Sequence, residues 1–382
     1  MIISKIKDFL TKSIIRIFNC LPIRNNKIFL YSYYGSQYGC SPKYISEYIV
    51  KNYPNKYDIV WAFNDVKSKK DIEEVKKVKI MSLRYFYELC TSKVIITNFR
   101  TTEMFKKRKK QYYIQTWHSS LRLKQIEKDA EDTLPRNYVE MAKVDSKKLD
   151  LLMSGCKFST DIFKRAFWYD GEIFEYGTPR NDILFENNVK FNNRIKEKLK
   201  INKRKKIILY APTFRKNNDL NVYNIDYSKI INKLNGKFGG EWIFLVKLHP
   251  HLISKSNELV YSKDVLDVTK YDDIQELLSV ADILISDYSS LMFDFGLTKR
   301  PCFLYVPDLD EYIKSDRKLY FNINELPFIP VKSNNELVNE INKFDSFKYE
   351  KDLERFFNKI GSFEEGKCCK NLEKKLNEVC FK

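Results

Sequence analysis

The feature that most restricts the fold is a repeated exchange between two periodicities. Short apolar runs suited to strands recur, with stretches of helical spacing between them. KIFLYS (27–32), DIVWAF (58–63), KVIITN (93–98) and QYYIQTW (111–117) read as strands, and residues 41–51 and 82–90 as helices. A second series runs through KKIILYAPTF (205–214), WIFLVKLHP (242–250), VLDVT (265–269), ADILISDYS (281–289) and PCFLYVP (301–307), with DDIQELLSV (272–280) as a helix. Strands about 20–30 residues apart need crossover connections, hence βαβ units and parallel sheets. The polar, Asn- and Lys-rich stretch 187–206 divides the series. The expectation is two Rossmann-like, doubly wound α/β domains, 23–187 and 188–360, with strand C-termini around an interdomain cleft. Residues 347–382, rich in Glu, Lys, Phe and Leu, read as helix, with 361–382 a C-terminal helix. A length of 382 residues suits two domains, and 43% hydrophobic residues argue against disorder.

The net charge is +18. It points to an anionic partner: nucleic acid, an acidic membrane face or a phosphorylated substrate. The eight cysteines are scattered without a CxxC pair, which favours reduced thiols over disulfides or zinc. No apolar run in residues 1–22 reaches the roughly 18 residues of a spanning helix. On a helical wheel Ile3, Ile6, Leu10, Ile14, Ile17, Phe18 and Leu21 share one side, and Lys5, Asp8, Lys12, Arg16 and Asn19 the other. Such a helix either packs on the protein's own core or lies on an anionic membrane surface. Peripheral attachment to the cytoplasmic face of the membrane is the expectation, and no small-residue cleavage site marks a signal peptide.

The chain has three histidines, all at expected strand ends. His118 closes QYYIQTWHSS, and His249 and His251 close WIFLVKLHPH. Ligands bind at this edge of parallel sheets, which favours function for His118 and His249. His251, beyond Pro250, reads as structural. In SDYSSLMFDFG (286–296), Ser289 and Ser290 are candidate N-caps whose hydroxyls and amides suit an anion. Asp294 falls on the same helical face, available to ligand hydroxyls. YAPTFR (210–215) sets Pro212, Thr213 and Arg215 after a strand, and YGTPRND (176–182) sets Arg180 in a turn. Arginine offers a planar fork to phosphate, and Lys247 adds a point charge. Taken singly, each reads as a turn or a surface charge; together they suggest a phosphate site.

The stretches QTWHSS, GTPRND, YAPTFR, KLHP, DIQELLSVADILISDYSSLMFDFGLTKRP and FLYVPDLDEY resemble, in order over about 27–330, the CDP-glycerol glycerophosphotransferase family of teichoic-acid primases, polymerases and capsule-type relatives. The resemblance implies a GT-B fold, no cofactor and no required metal. It implies a CDP-glycerol or CDP-ribitol donor and a lipid-linked or glycan polyol-phosphate acceptor, and a homo-oligomer is compatible with it. His118 matches the family histidine taken as base or phosphate ligand, and His249 the second essential one. Arg180, Pro212, Thr213, Lys247, Ser289, Ser290 and Asp294 match donor-site positions. Two departures concern the acceptor side. The family's WHGTPLK reads Trp117-His118-Ser119-Ser120-Leu121-Arg122, which leaves Ser119, Ser120 and Arg122 as candidate substrate contacts. An arginine-glycine-aromatic run reads DRKLYF, with Lys318 for glycine.

The implied reaction is attack of an acceptor hydroxyl on the phosphorus bearing the polyol, with CMP leaving. An imidazole, with an unperturbed pKa of about 6.5, can take that proton or donate to phosphate. His118 is assigned as base and His249, Ser289, Ser290 and Arg180 as diphosphate ligands, although the two histidine roles are exchangeable at this level. The alternative enzyme is a GT-B glycosyltransferase using a nucleotide sugar such as CMP-sialic acid, which leaves the WHxx and GTPRND pair unexplained. Nucleic-acid binding is disfavoured because, apart from KKRKK (106–110), the basic residues form no stripe. That run reads as a solvated loop or a contact to anionic lipid or polymer.

Overall fold

The computed structural model describes residues 2–102 (side chains from 9 onward), 105–186, 188–215, 223–249, 252, 263–315 and 318–382. The chain forms two compact units. The first holds the residues up to Ser120, Ile126–Asp182 and Phe363–Lys382; the second holds Leu121–Gln125 and Ile183–Ser362. The division falls at 182/183, against an expected 187/188. The expected linker carries a helix, Val189–Lys198, capped by Asn188, whose side-chain oxygen accepts the Phe191 N–H at 3.0 Å.

In the first unit β1 (Arg24–Tyr31), β2 (Asp58–Phe63), β3 (Lys76–Lys79), β4 (Ser92–Thr97), β5 (Tyr112–Gln115), β6 (Leu151–Met153) and β7 (Glu172–Phe174) form a parallel sheet in the order 3-2-1-4-5-6-7. Ile28, Phe29 and Leu30 of β1 lie opposite Ile59, Val60 and Trp61 on one side and Val94, Ile95 and Ile96 on the other. These residues are almost wholly buried, as a sheet covered on both faces requires. In the second unit β8 (Lys206–Tyr210), β9 (Trp242–Val246), β10 (Val265–Asp267), β11 (Ile283–Ser286), β12 (Cys302–Tyr305) and β13 (Ile329–Val331) pair, again parallel, in the order 10-9-8-11-12-13. Each order reverses direction once, at β1/β4 and at β8/β11, the point of such a sheet where ligands bind. β3, β6, β7 and β13 escaped the sequence reading; all four are short, and β3 has one apolar residue. Its three lysines lie on an edge strand, where charge blocks further pairing.

The C-terminal stretch is two helices rather than one. Ser346–Ile360 ends at Gly361 in left-handed backbone (φ 63°), and Cys368–Phe381 follows. The second helix belongs to the first unit. Its Cys368, Leu372, Leu376 and Cys380, spaced by one turn, enter a core that includes Leu30, Ile45, Ile49 and Phe174. The N-terminal helix, Ile2–Phe18, docks on the helix Leu83–Thr91 through Ile15, with Phe18 edge-on to Tyr87 at 5.9 Å. The docked face is centred on Thr11 and Ile15 rather than on the expected stripe, and Phe9, Leu10 and Ile17 stay exposed beside Lys12 and Arg16. Among the described residues no helix is long and apolar enough to cross a membrane.

If the last helix completes the first unit, Leu372→Ala should destabilise that unit by about 2–5 kcal/mol. Hydrogen exchange under mild urea should then quicken in β1 and β2; quickening confined to β8–β13 would contradict the placement.

Candidate active site

β5 leaves the sheet through Thr116 and Trp117. Trp117 has a φ of 53°, a left-handed conformation that costs a bulky residue on the order of 1–3 kcal/mol. The surroundings impose it. Its N–H donates to Gln115 Oε1 (3.0 Å), its carbonyl accepts the Thr116 hydroxyl (2.9 Å), and its ring meets Phe167 edge-on at 5.0 Å. Phe167 in turn lies 3.6 Å from the buried Arg100 guanidinium, which donates to Ser146 Oγ (2.8 Å), Glu127 (3.2 Å) and Asp145 (3.4 Å). Burial raises the Asp145 pKa, and the pull of Arg100 offsets this only in part.

The consequence is that His118 turns out of the sheet and is exposed. Its ring lies 4.5 Å from that of Trp117, and Nδ1 is 3.3 Å from the Asn98 carbonyl oxygen. A carbonyl only accepts, so Nδ1 carries the proton and Nε2 is the basic nitrogen. Ser119 and Ser120 are buried, at 7% and 5% exposure. The Ser120 carbonyl accepts the Ser159 hydroxyl at 2.6 Å, so this pair forms wall behind His118 rather than the open substrate contacts expected. Arg122 is likewise buried, and it belongs to the second unit.

Arg180 belongs to the first unit, in the short helix Pro179–Phe185 that the division at 182/183 crosses, whereas His249 belongs to the second. Its Nη1 is 3.9 Å from Cys40 Sγ, and the same sulfur is 3.9 Å from the Trp117 carbonyl, which places this buried charge behind the His118 turn. The turn is held by the C-terminal segment. Glu364 accepts from Thr178 N–H (3.1 Å), Thr178 Oγ1 (2.6 Å) and Asn181 Nδ2 (3.2 Å). Asp182 accepts the N–H groups of Cys368 (3.0 Å) and Cys369 (2.8 Å), satisfying free donors at the start of the last helix.

In the second unit the loops after β8 and β11 meet at Asp287. Its carboxylate accepts Thr213 N–H (2.9 Å), Thr213 Oγ1 (2.6 Å) and Arg215 Nη1 (2.8 Å). Arg215 also donates to Asp308 through Nε (2.6 Å) and Nη2 (3.2 Å) and to the Thr213 carbonyl (2.7 Å). Its guanidinium lies 4.8 Å from the Tyr288 ring and 5.0 Å from Tyr312, which stack on each other at 3.7 Å. Burial pulls the Arg215 pKa down, but the two carboxylates outweigh it and hold the pKa above the ordinary value. Burial likewise raises Asp308, and Arg215 outweighs that and leaves it low. Arg215 is thus a buried clamp, not the phosphate fork expected.

Three further expectations change. Lys247 donates to the carbonyls of Thr269 (2.7 Å) and Tyr271 (2.6 Å), and burial pulls its pKa down to about 8, so it ties the loop after β10 instead of offering a free charge. Asp294, expected to face ligand hydroxyls, is fully buried and accepts Gln275 Nε2 at 3.4 Å. Ser290 stands at the N-cap of Leu291–Gly296 with helical backbone and makes no capping bond, while Ser289 Oγ accepts the Leu291 N–H at 3.3 Å. Both serines and Thr213 are half-buried, and Pro212 is buried. His249 is half-buried beside Phe214, with ring centroids 5.5 Å apart. Pro250 and His251 lie outside the described residues.

The Lys318 carbonyl accepts the Gln125 N–H (2.8 Å), and the Tyr320 N–H donates to the Leu123 carbonyl (2.7 Å), so this pairing is made through the backbone. The sequence reading missed Asp287, Asp308, Asn98 and Glu364. Asp287 had a signal, since it lies inside SDYSS; Glu364 had none, because its partners are about 180 residues earlier.

The CDP-Glycerol:Poly(glycerophosphate) glycerophosphotransferase family matches this chain over residues 13–377. A teichoic acid poly(glycerol phosphate) polymerase of Bacillus spizizenii is 33% identical over 379 residues, covering 95% of either chain. The teichoic acid glycerol-phosphate transferase of Staphylococcus aureus is 31% identical, covering 97% of this chain and 98% of its own. Against the Bacillus subtilis poly(glycerol phosphate) polymerase, 31% identical, this chain spans 50% of the relative's length. The solved wall teichoic acid polymerase TagF superposes with a TM-score of 0.84 at 30% identity, covering 99% of this chain and 96% of that one. TagF is also known in two histidine-substituted forms, one soaked with CDPG. A UDP-GlcNAc 2-epimerase of Neisseria meningitidis, at TM-score 0.51 and 14% identity over 92% of this chain and 100% of that one, shares the fold alone. Two parallel-sheet units of GT-B type and a family match over almost the whole length lead to one statement: the chain belongs to the CDP-glycerol:poly(glycerophosphate) glycerophosphotransferase family of transferases.

Proposed function

We propose that the chain transfers glycerol phosphate from CDP-glycerol to a hydroxyl of a lipid-linked or glycan acceptor, releasing CMP, in teichoic acid or capsule-type synthesis at the cytoplasmic face of the membrane. The observation that carries this reading is His118: an exposed imidazole at a strand end, with Nδ1 3.3 Å from the Asn98 carbonyl oxygen. The acceptor oxygen attacks the phosphorus that bears glycerol. A new P–O bond forms as the bond to CMP breaks, CMP leaves with the electron pair, and the acceptor proton passes to His118 Nε2. His249, Thr213, Ser289 and Ser290 are assigned to the diphosphate, and the fixed charge of Arg180 to the negative charge growing near His118.

Glycerol is preferred to ribitol because the glycerol-phosphate relatives reach 33% identity, against 27% for a poly(ribitol-phosphate) polymerase of Bacillus spizizenii. The nucleotide-sugar reading rests on a likeness of fold only. Phe9, Leu10 and Ile17, exposed next to Lys12 and Arg16, suit an anionic lipid surface.

His118→Ala should lower turnover by about 10²–10⁴-fold, with CDP-glycerol affinity by calorimetry little changed. Lost donor binding with normal residual turnover would exchange the two histidine roles. Replacing Phe9, Leu10 and Ile17 together by serine should weaken flotation with vesicles containing anionic phospholipid by at least about tenfold; unaltered flotation would remove the membrane assignment. Arg215→Met, by leaving two carboxylates without their cation, should cost about 3–5 kcal/mol of stability. Because the folded pKa of Asp308 is depressed, its stabilisation is present above the ordinary carboxylate value of about 3.9 and is lost as pH falls through the lower folded value. Asp308→Asn should therefore flatten the acid limb of the unfolding midpoint against pH; an unchanged limb would contradict the clamp.

A further inference from the structure

The corner after β1 is strained in a way that the fold does not explain. Tyr33, Tyr34 and Gly35 have φ values of 46°, 54° and 82°, three successive left-handed residues of which two are tyrosines. Gly35 needs its lack of a side chain, since a Cβ there would lie 2.1 Å from Ile80 Cδ1. Tyr34 has no comparable reason. Glycine or asparagine would adopt this backbone with less strain, and Tyr34 is 56% exposed.

The corner is nevertheless held on both sides. Asn98, after β4, accepts the Tyr33 N–H through Oδ1 at 2.9 Å. Asn64, after β2, donates from Nδ2 to the Tyr34 carbonyl (3.0 Å) and from its N–H to the Gly35 carbonyl (2.8 Å). The Tyr34 ring rests on Phe99 at 4.1 Å. Asn98 is also the residue whose carbonyl holds His118 Nδ1, so one residue at the β1/β4 reversal ties the corner to the imidazole. Strain sustained by the surrounding structure at such a point indicates use rather than packing.

We propose that Tyr34 is a specificity-determining residue that forms one wall of the acceptor site. The inference rests on the assignment of His118 as base: the group that gives up its proton to Nε2 belongs to the acceptor, so an exposed side chain fixed to the same support meets the acceptor and not CDP. A tyrosine offers a flat apolar face to the C–H groups of a polyol or sugar terminus and a hydroxyl to its oxygens.

The test is Tyr34→Gly, assayed with a synthetic lipid-linked glycerol-phosphate primer. The primer KM should rise about tenfold, with the Kd for CDP-glycerol unchanged and the unfolding midpoint no lower than the parent's, because glycine suits the backbone. A raised KM in a protein of undiminished stability is what a structural role would not produce. If the primer KM is unchanged while His118→Ala has lost turnover, the wall is wrong and the function stands. Parental turnover in His118→Ala removes the function beneath it, and a raised CDP-glycerol Kd in Tyr34→Gly overturns the acceptor assignment.

Discussion

A parallel sheet delivers every strand to the same edge, and most of what this chain can do follows from that constraint. With the strands of each sheet running one way, the C-terminal ends collect the loops, and the two reversals of order fall at β1/β4 and β8/β11. The residues proposed for the site lie at those ends: the strained corner and Asn98 at the first reversal, His118 one strand further, and Asp287 with its neighbouring serines at the second.

Charge is divided between support and chemistry by solvation. Arg100 and Arg215 are buried and engage carboxylates, where their worth is to fix loops in one arrangement. Lys247 is spent on backbone carbonyls in the same way. In the first unit the exposed imidazole of His118 lies against the Trp117 ring. The net charge of +18 therefore says little about the site itself, since the cations nearest the reversals serve the scaffold.

Much of this was legible from periodicity. The two strand series, the helices at 41–51, 82–90 and 272–280 and the position of His118 at a strand end follow from local pattern. β3, β6, β7 and β13 did not show: each has three or four residues, and β3 is three-quarters lysine. Exposure was harder to foresee than position: Arg215, Lys247 and Asp294 have residue types that suit a ligand, and only tertiary partners such as Asp308, Thr269 and Gln275 decide that they turn inward. The return of residues 363–382 to the first unit was beyond local reasoning, because Glu364 and Asp182 find their partners across nearly half the chain.

The central claim is that the chain moves a polyol phosphate from a CDP carrier to an acceptor hydroxyl. It is tested most directly by incubating the purified protein with CDP-glycerol, with and without a lipid-linked glycerol-phosphate primer, and following CMP release and primer mass. The account predicts CMP release that depends on the primer, one CMP for each glycerol phosphate added, and slower reaction with CDP-ribitol. No CMP release, or equal release without any gain in primer mass, would contradict it.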